Sequence, residues 1–136
     1  LPVVVNVRAG SVLPLLWSAT GQAFLAFADE AGVDAQALQE WKQAAPAQRA
    51  LLPEKAPIAA VRERVRAHGC ASVRDLLAPG ISAVAAPIRR HSGQVVAVLT
   101  ALGASGGFDA APDGRIATRV RQEADAISAA LGFVDG

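Results

Sequence analysis

The chain has 136 residues, of which 52% are hydrophobic, and 13 basic residues against 12 acidic ones give a formal net charge of +1. A chain of this length can bury a core, and its composition lies far from that of disordered segments. The near-neutral charge argues against a module that binds nucleic acid phosphates by itself, because such modules carry a clear excess of basic side chains.

Cysteine and methionine usage bears on the compartment and on the extent of the chain. Cys70 is the single cysteine, so no internal disulfide can form, which favours the reducing cytoplasm. No uncharged apolar run reaches the roughly 18 residues of a membrane span, and no signal peptide is visible. Because the chain lacks methionine and opens on Leu1, we expect a piece of a longer protein, with a processed N-terminus as the alternative.

The N-terminal part predicts two short strands followed by a helix. Residues 3–7 are mostly β-branched, which favours a strand, and the apolar run at 12–17 can extend a second strand. Ser18 is a typical N-cap residue for a helix over Ala19–Ala28.

Two further helices are predicted before the centre of the chain. Asp34 is expected to cap a helix over Ala35–Ala45, and a connector with three prolines follows. Pro57 then suits the first turn of a helix that ends at Gly69. The residues predicted to face inward are Leu38, Trp41, Ile58, Val61 and Val65, and those predicted to face outward are Arg62, Glu63, Arg64 and Arg66.

Two apolar runs, Ile81–Ile88 and Val95–Leu102, predict a β-hairpin with its turn near Ser92 and Gly93. Both faces of both runs are apolar, so we expect the centre of a sheet that is covered on each side. The predicted faces are Ala83, Ala85 and Pro87 with Val98, Thr100 and Leu102, and Val84, Ala86 and Ile88 with Val95, Ala97, Leu99 and Ala101.

A last helix is predicted over Gly114–Leu131. The order of strands, helices, strands and helix predicts an α+β (α/β mixed) fold, with helices on the faces of a mixed sheet. The stripe of this helix predicted to face the core is Ile116, Val120, Ala124, Ile127 and Leu131.

The sequence offers little for catalysis or metal binding. Cys70 as a nucleophile needs a base, and His68, two residues away, is expected at a helix end, where it caps carbonyls. Two histidines and one cysteine, widely spaced, do not form a metal set. No phosphate loop, Ser–His–Asp set or catalytic carboxylate pair is present. We therefore expect no catalytic residue, no metal and no cofactor.

Four motifs in a consistent order resemble those of the C-terminal effector-binding domain of IclR-type bacterial transcription regulators. The resemblance extends from Arg8 to Phe133, and the four motifs together are stronger evidence than any one alone. They are the helix start PLLWSATGQA at 14–23, the arginine-rich helix end at 63–69, the Pro-Gly-led hairpin at 79–102 and the helix end at 127–132.

The resemblance implies a GAF-like fold, a curved and mostly antiparallel sheet flanked by helices, over residues 1–136 as one effector-binding domain. It implies a small-molecule effector, mostly an organic or aromatic acid, and self-association as a dimer or tetramer. It also implies a winged helix-turn-helix domain upstream, so that DNA is bound only through that missing domain, and no membrane.

The family's ligand-binding positions map onto eight residues of this chain, and Gly21 and Trp17 are added to them as candidates. Thr100 and Leu102 stand where the family has a small polar pair, so one hydroxyl is lost, and Cys70 replaces a usual aromatic. These departures imply a drier pocket and a more apolar ligand than the smallest keto acids. The positions carried over are Ala19, Thr20, Val73, Ala83, Thr100 and Leu102, with Val5 and Leu13 as apolar wall residues. Gly21 is added for its place at the helix start, and Trp17 as a residue that narrows the pocket or stacks on the ligand, with core or interface packing as the alternative.

The residues themselves support a carboxylate site at the predicted helix start. Unpaired amide groups and the positive dipole end favour an anion beside the small residues 19–21, with Thr100 bonding the other end of the ligand. The alternative is that Ser18 only caps the helix and Thr100 bonds the backbone. Two other functions stay open: an assembly domain with a filled pocket, and a GAF-like enzyme that uses Cys70.

Overall fold

The computed structural model describes residues 13–135, and these residues form helices on both faces of a three-stranded antiparallel sheet. The α+β prediction is confirmed. In chain order the elements are α1 (Ala19–Phe27), α2 (Val33–Gln43), α3 (Pro46–Arg49), α4 (Pro57–His68), β1 (Ala71–Arg74), β2 (Ile81–Arg89), β3 (Val95–Ala104) and α5 (Arg115–Ala130).

Strand β2 lies between β1 and β3, and its register with β3 is the predicted one. Ala83 pairs with Leu102 and Ala85 with Thr100, while a bulge interrupts the pairing at Ile88 and Arg89. Because side chains alternate along a strand, this register decides which face each residue joins.

The two faces of β2 belong to two separate hydrophobic clusters. Ala83 and Ala85 pack with residues of α1, α2, α4 and β1. Val84, Ala86 and Ile88 pack with α5 instead. The prediction of a strand covered on both sides is therefore right for β2. It is wrong for β3, which is the edge strand of the sheet formed by the described residues and leaves Leu102 46% exposed.

The segment before α1 is not the strand that we predicted over residues 12–17. The chain bends over residues 15–18, and among the described residues the amides of Leu15 and Leu16 bond to the side chain of Glu40. The predicted strand at 3–7 lies outside the described residues.

Helix α2 begins at Val33, after Gly32 in the left-handed conformation, so Asp34 is not its cap. Asp34 instead forms an ion pair with Arg62 of α4. Leu38 was expected in the core but is 45% exposed, because Val33 and Ala37 form the buried face of this helix. The expected connector after α2 contains the short helix α3.

Two arginines of α4 were predicted to face outward into solvent, but their side chains bond to the end of α1. Arg62 Nε donates to the carbonyl of Leu25 at 3.3 Å, and Arg66 Nε donates to that of Ala26 at 2.7 Å. These carbonyls belong to the last turn of α1 and have no partner inside the helix. Cationic groups there also interact favourably with the helix dipole.

The predicted stripe of helix α5 is right for Val120 and Ala124 and wrong for Ile127 and Leu131. Its buried residues are Ala117, Val120, Ala124 and Ser128, whereas Ile127 and Leu131 are exposed. Small side chains let the helix lie close to β2, and Ser128 Oγ accepts the amide of Arg89 at 2.9 Å. No helix within residues 13–135 is long and apolar enough to cross a membrane.

Gly21 is required by the close approach of α1 to the preceding segment. A Cβ at this position would press on the Pro14 carbonyl oxygen and lie 2.6 Å from Leu15 Cα. We predict that Gly21→Ala lowers the free energy of unfolding by about 3 kcal/mol, the upper part of the range for overpacking. Urea denaturation measures this loss. Gly106→Ala is the control, since nothing lies within 4 Å of its Cβ position, and an equal effect of both substitutions would contradict the packing argument.

Candidate functional site

The site begins at the N-terminus of α1. Just before it, side chains form hydrogen bonds with the backbone of the bend at 14–18. The Glu40 carboxylate accepts the amides of Leu15 and Leu16 at 2.9 and 3.1 Å. Ser18 Oγ accepts the amide of Gly21 at 2.9 Å and donates to the Pro14 carbonyl at 2.8 Å. The predicted N-cap is therefore confirmed, and the bend that precedes it is held from α2.

A cavity of about 410 Å³ lies between this helix start and the sheet. It is bounded by the N-terminus of α1, by β1, by the loop between β1 and β2, and by one face of β2 and β3. The residues that line it are Leu13, Ser18, Ala19, Thr20, Val73, Leu77, Ile81, Ala83, Val98, Leu99, Thr100 and Leu102.

The polar groups of the cavity lie on one side, where α1 meets β3. The hydroxyl oxygens of Thr20 and Thr100 are 2.7 Å apart. Either can be the donor, so the other keeps its hydrogen free for a further bond. The Ser18 hydroxyl already donates one hydrogen bond and accepts another. The amides of Ala19 and Thr20, however, have no partner among residues 13–135.

No charged side chain lines the cavity within the described part of the chain. Hydroxyls, helix amides and the positive end of the helix dipole are thus the groups that can hold an anion here. The rest of the wall is apolar and suits an apolar body. A mainly apolar lining with a few hydroxyl groups is typical of a small-molecule binding site.

The structure brings most of the predicted site residues together. The lining includes Ala19, Thr20, Val73, Ala83, Thr100, Leu102 and Leu13. The Thr100 hydroxyl bonds that of Thr20. The alternative interpretation expected Thr100 to bond the backbone instead.

Two predicted site residues are placed differently. Gly21 is buried, and its amide is taken by Ser18 Oγ, so it neither lines the cavity nor offers a donor. Trp17 stacks on Trp41 with ring centroids 6.3 Å apart, and its Nε1 donates to the Gln48 carbonyl at 2.9 Å. This side chain packs the bend before α1 against α2 and α3, and it does not line the cavity. Val5 lies outside the described residues.

Sequence reasoning missed several lining residues. Ile81 and Val98 lie two positions before Ala83 and Thr100, so strand alternation could have found both. Leu77 lies on the loop between β1 and β2, whose path depends on contacts that no local pattern reveals.

One such contact fixes this loop at the edge of the cavity. Asp75 Oδ1 accepts the hydroxyl of Ser105 at 2.6 Å and the amide of Gly80 at 2.9 Å. The Ser105 hydroxyl in turn bonds that of buried Ser82 at 2.9 Å. The bond from Ser105 and then that from Gly80 lower the pKa of Asp75 below its ordinary value of 3.8. The loop that carries Leu77 is thereby tied to the end of β3.

Cys70 lies on the other side of the sheet from the cavity. It is 1% exposed and packs with Val84, Ala86 and α5, and Arg121 Nη1 lies 3.2 Å from its sulfur. His68 contributes only a carbonyl to this corner. No group of three or more metal-binding side chains occurs among the described residues.

The sequence that forms this fold matches a known protein family. The chain matches the family described as "Bacterial transcriptional regulator IclR C-terminal" over residues 2–129. The chain belongs to this family. The IclR-type resemblance of its motifs is thus confirmed, and its relatives are transcriptional regulators, not enzymes. No curated protein matches the chain.

Solved structures of IclR-type regulators have the same fold. HmgR of Pseudomonas aeruginosa is 36% identical with a TM-score of 0.81, and the match covers 98% of this chain and 51% of that one. The repressor BlcR of Agrobacterium tumefaciens is 21% identical, with a TM-score of 0.77 and coverage of 94% and 51%. The IclR protein of Thermotoga maritima is 23% identical, with a TM-score of 0.71 and coverage of 98% and 53%. The chain therefore spans about half the length of these relatives.

The Asp75 contacts predict a specific pH dependence of stability. A carboxyl whose pKa is lower in the folded chain stabilises it above the unfolded pKa of 3.8, and this contribution is lost as the pH falls through the folded value. We expect Asp75→Asn to lower Tm at neutral pH, with a difference from the wild type that shrinks below pH 3.8.

Thermal unfolding from neutral to acid pH measures this difference. The matched control is Asp29→Asn, because Asp29 is exposed and accepts no hydrogen bond from the described residues. A difference for Asp75→Asn that stays constant down to the most acid pH would show that the charge of Asp75 does not hold the loop.

Proposed function

We propose that this chain is the effector-binding domain of an IclR-type transcription regulator and binds a small monocarboxylic acid with an apolar body. The observation that carries this proposal is the cavity of about 410 Å³ with the Thr20–Thr100 hydroxyl pair in an otherwise apolar wall. Its volume falls within the range of small-molecule sites, roughly 300–1,000 Å³.

The carboxylate is proposed to lie at the helix start. Ala19 and Thr20 line the cavity, and their amides have no partners among residues 13–135, so they can serve as donors there. The free hydrogen of the threonine pair supplies a third donor. Hydrogen bonds to a charged acceptor are stronger than neutral ones, because the acceptor carries a full charge. These donors favour the acid over its amide or ester.

The body of the acid is proposed to lie against the apolar side of the cavity, formed by Val73, Leu77, Ile81 and Leu102. Burying a second carboxylate there would cost its desolvation without a cationic partner in return. The site therefore favours monocarboxylates over dicarboxylates. It also favours them over the smallest keto acids, which bury little apolar surface.

The bound effector is proposed to act by changing the arrangement of subunits in the whole regulator, in the cytoplasm. Residues 1–136 serve as one effector-binding domain, a dimer or tetramer is the assembled form, and the rest of the protein binds DNA. The relatives support this proposal because they are about twice as long and include a protein named a repressor. An effector can shift such an equilibrium only if it binds one arrangement better than the other.

A thermal-shift panel tests the proposal with phenylacetate and hexanoate as apolar monocarboxylates, succinate as a dicarboxylate and pyruvate as a small keto acid. At a hundred times its Kd, a ligand stabilises the chain by about 2.7 kcal/mol, a rise in Tm of roughly 10 °C for a domain of this size. We expect such a rise for phenylacetate or hexanoate and a much smaller one for succinate and pyruvate.

Thr100→Val identifies the cavity as the site, because it removes the hydroxyl and keeps the shape. We expect it to weaken binding about tenfold, the loss of one hydrogen bond to a charged group. Thr118→Val is the matched control, since its hydroxyl bonds the Gly114 carbonyl on α5, away from the cavity. No stabilisation by any acid of the panel would contradict the proposal and favour an assembly domain.

A further inference from the structure

Glu40 lies outside the cavity, yet it is bonded to the backbone that shapes it. Its two carboxylate oxygens each accept one amide of the bend, from Leu15 and Leu16. These donors are 25 and 24 residues away in the sequence. The contact therefore joins α2 to the head of α1 across a long stretch of chain.

The other bonds to the backbone of this bend are local. Ser18 Oγ donates to Pro14 four residues away, and Gln22 Nε2 donates to the Leu16 carbonyl at 2.9 Å six residues away. Both partners of each bond lie within the bend or the start of α1. These bonds therefore do not fix the N-terminus of α1 relative to the rest of the molecule. Among the described residues, Glu40 alone bonds the backbone of residues 14–17 from a distant part of the chain.

The neighbouring residue of α2 supports the same segment. Trp41 stacks on Trp17 with an angle of 4° between the rings, and Arg49 Nε donates to the Trp41 carbonyl at 2.9 Å. Two adjacent residues of α2 thus hold three adjacent residues of the bend, and α3 holds the end of α2. The direction of the Ala19 and Thr20 amides depends on this support, because the bend leads directly into α1.

We propose that Glu40 is a positioning residue of the effector site: its carboxylate fixes the bend at 15–18 and so aims the helix-start donors at the ligand. This inference rests on the proposed function. It adds that affinity for the acid depends on a side chain of α2 that does not touch the ligand. A carboxylate suits the role because it accepts two amides at once, whereas an amide side chain offers one acceptor and one donor.

Glu40→Gln tests the proposal in the 136-residue chain, with phenylacetate as the probe. The isosteric change places an NH₂ group against one amide donor. We expect calorimetric affinity for phenylacetate to fall about tenfold at a temperature where the variant is fully folded. Hydrogen exchange at Leu15, Leu16, Gly21 and Gln22 should become faster without ligand, because the amides of Gly21 and Gln22 bond Ser18 of the bend.

Two controls separate positioning from general stability. Glu123→Gln removes an exposed carboxylate that pairs with Arg119 on α5, and we expect no change in affinity. Val61→Ala opens the core at a fully buried position of α4, so it should lower Tm and leave the affinity of the folded chain unchanged.

The outcomes distinguish this proposal from the proposed function. Unchanged affinity in Glu40→Gln, or a similar fall in Val61→Ala, would overturn the positioning role. If the wild type itself does not bind phenylacetate, the proposed preference for apolar acids loses its support. The rates of amide hydrogen exchange then test the positioning role of Glu40. Unchanged exchange at Gly21 and Gln22 would then overturn it, and faster exchange there would support it.

Discussion

The fold around the cavity depends on how the buried bend at 14–18 pairs its backbone. A buried amide without a partner costs free energy, and strand pairing is the usual remedy. Here side chains take that role, with Glu40 bonding Leu15 and Leu16 and Ser18 bonding Pro14. Held in this way, the bend leads directly into α1 and brings the helix start to the sheet.

Small side chains on the sheet then leave the space that the helix start closes. β2 is buried on both faces, but Ala83 faces the cavity where a larger residue would fill it. On the opposite face α5 packs closely through Ala117 and Ala124. The same alanine-rich composition therefore gives a closed core on one side of the sheet and a ligand-sized space on the other. The threonine pair places the polar groups of that space at the junction of α1 and β3.

Local patterns predicted the four longer helices and the hairpin register, because alternation along a strand and capping residues such as Ser18 and Gly69 act over a few positions. They failed where distant contacts decide. Asp34 pairs with Arg62 instead of capping α2, and α5 turns Ser128 inward to bond β2. At the site, the helix start and Thr100 were predictable, whereas the role of Glu40 was not, since its partners lie 24 and 25 residues away. The position of the Trp17 side chain was not predictable either, because it depends on stacking against Trp41 of α2.

An amide NMR titration of the chain with phenylacetate tests the central claim most directly, that an acid is bound between the start of α1 and β3. We predict saturable shifts that are largest at Ala19, Thr20 and Thr100, with the amides of Val120 and Ala124 on the far side of the sheet nearly unmoved. Saturable shifts concentrated on α5, or none at Ala19 and Thr20 at millimolar phenylacetate, would contradict the account.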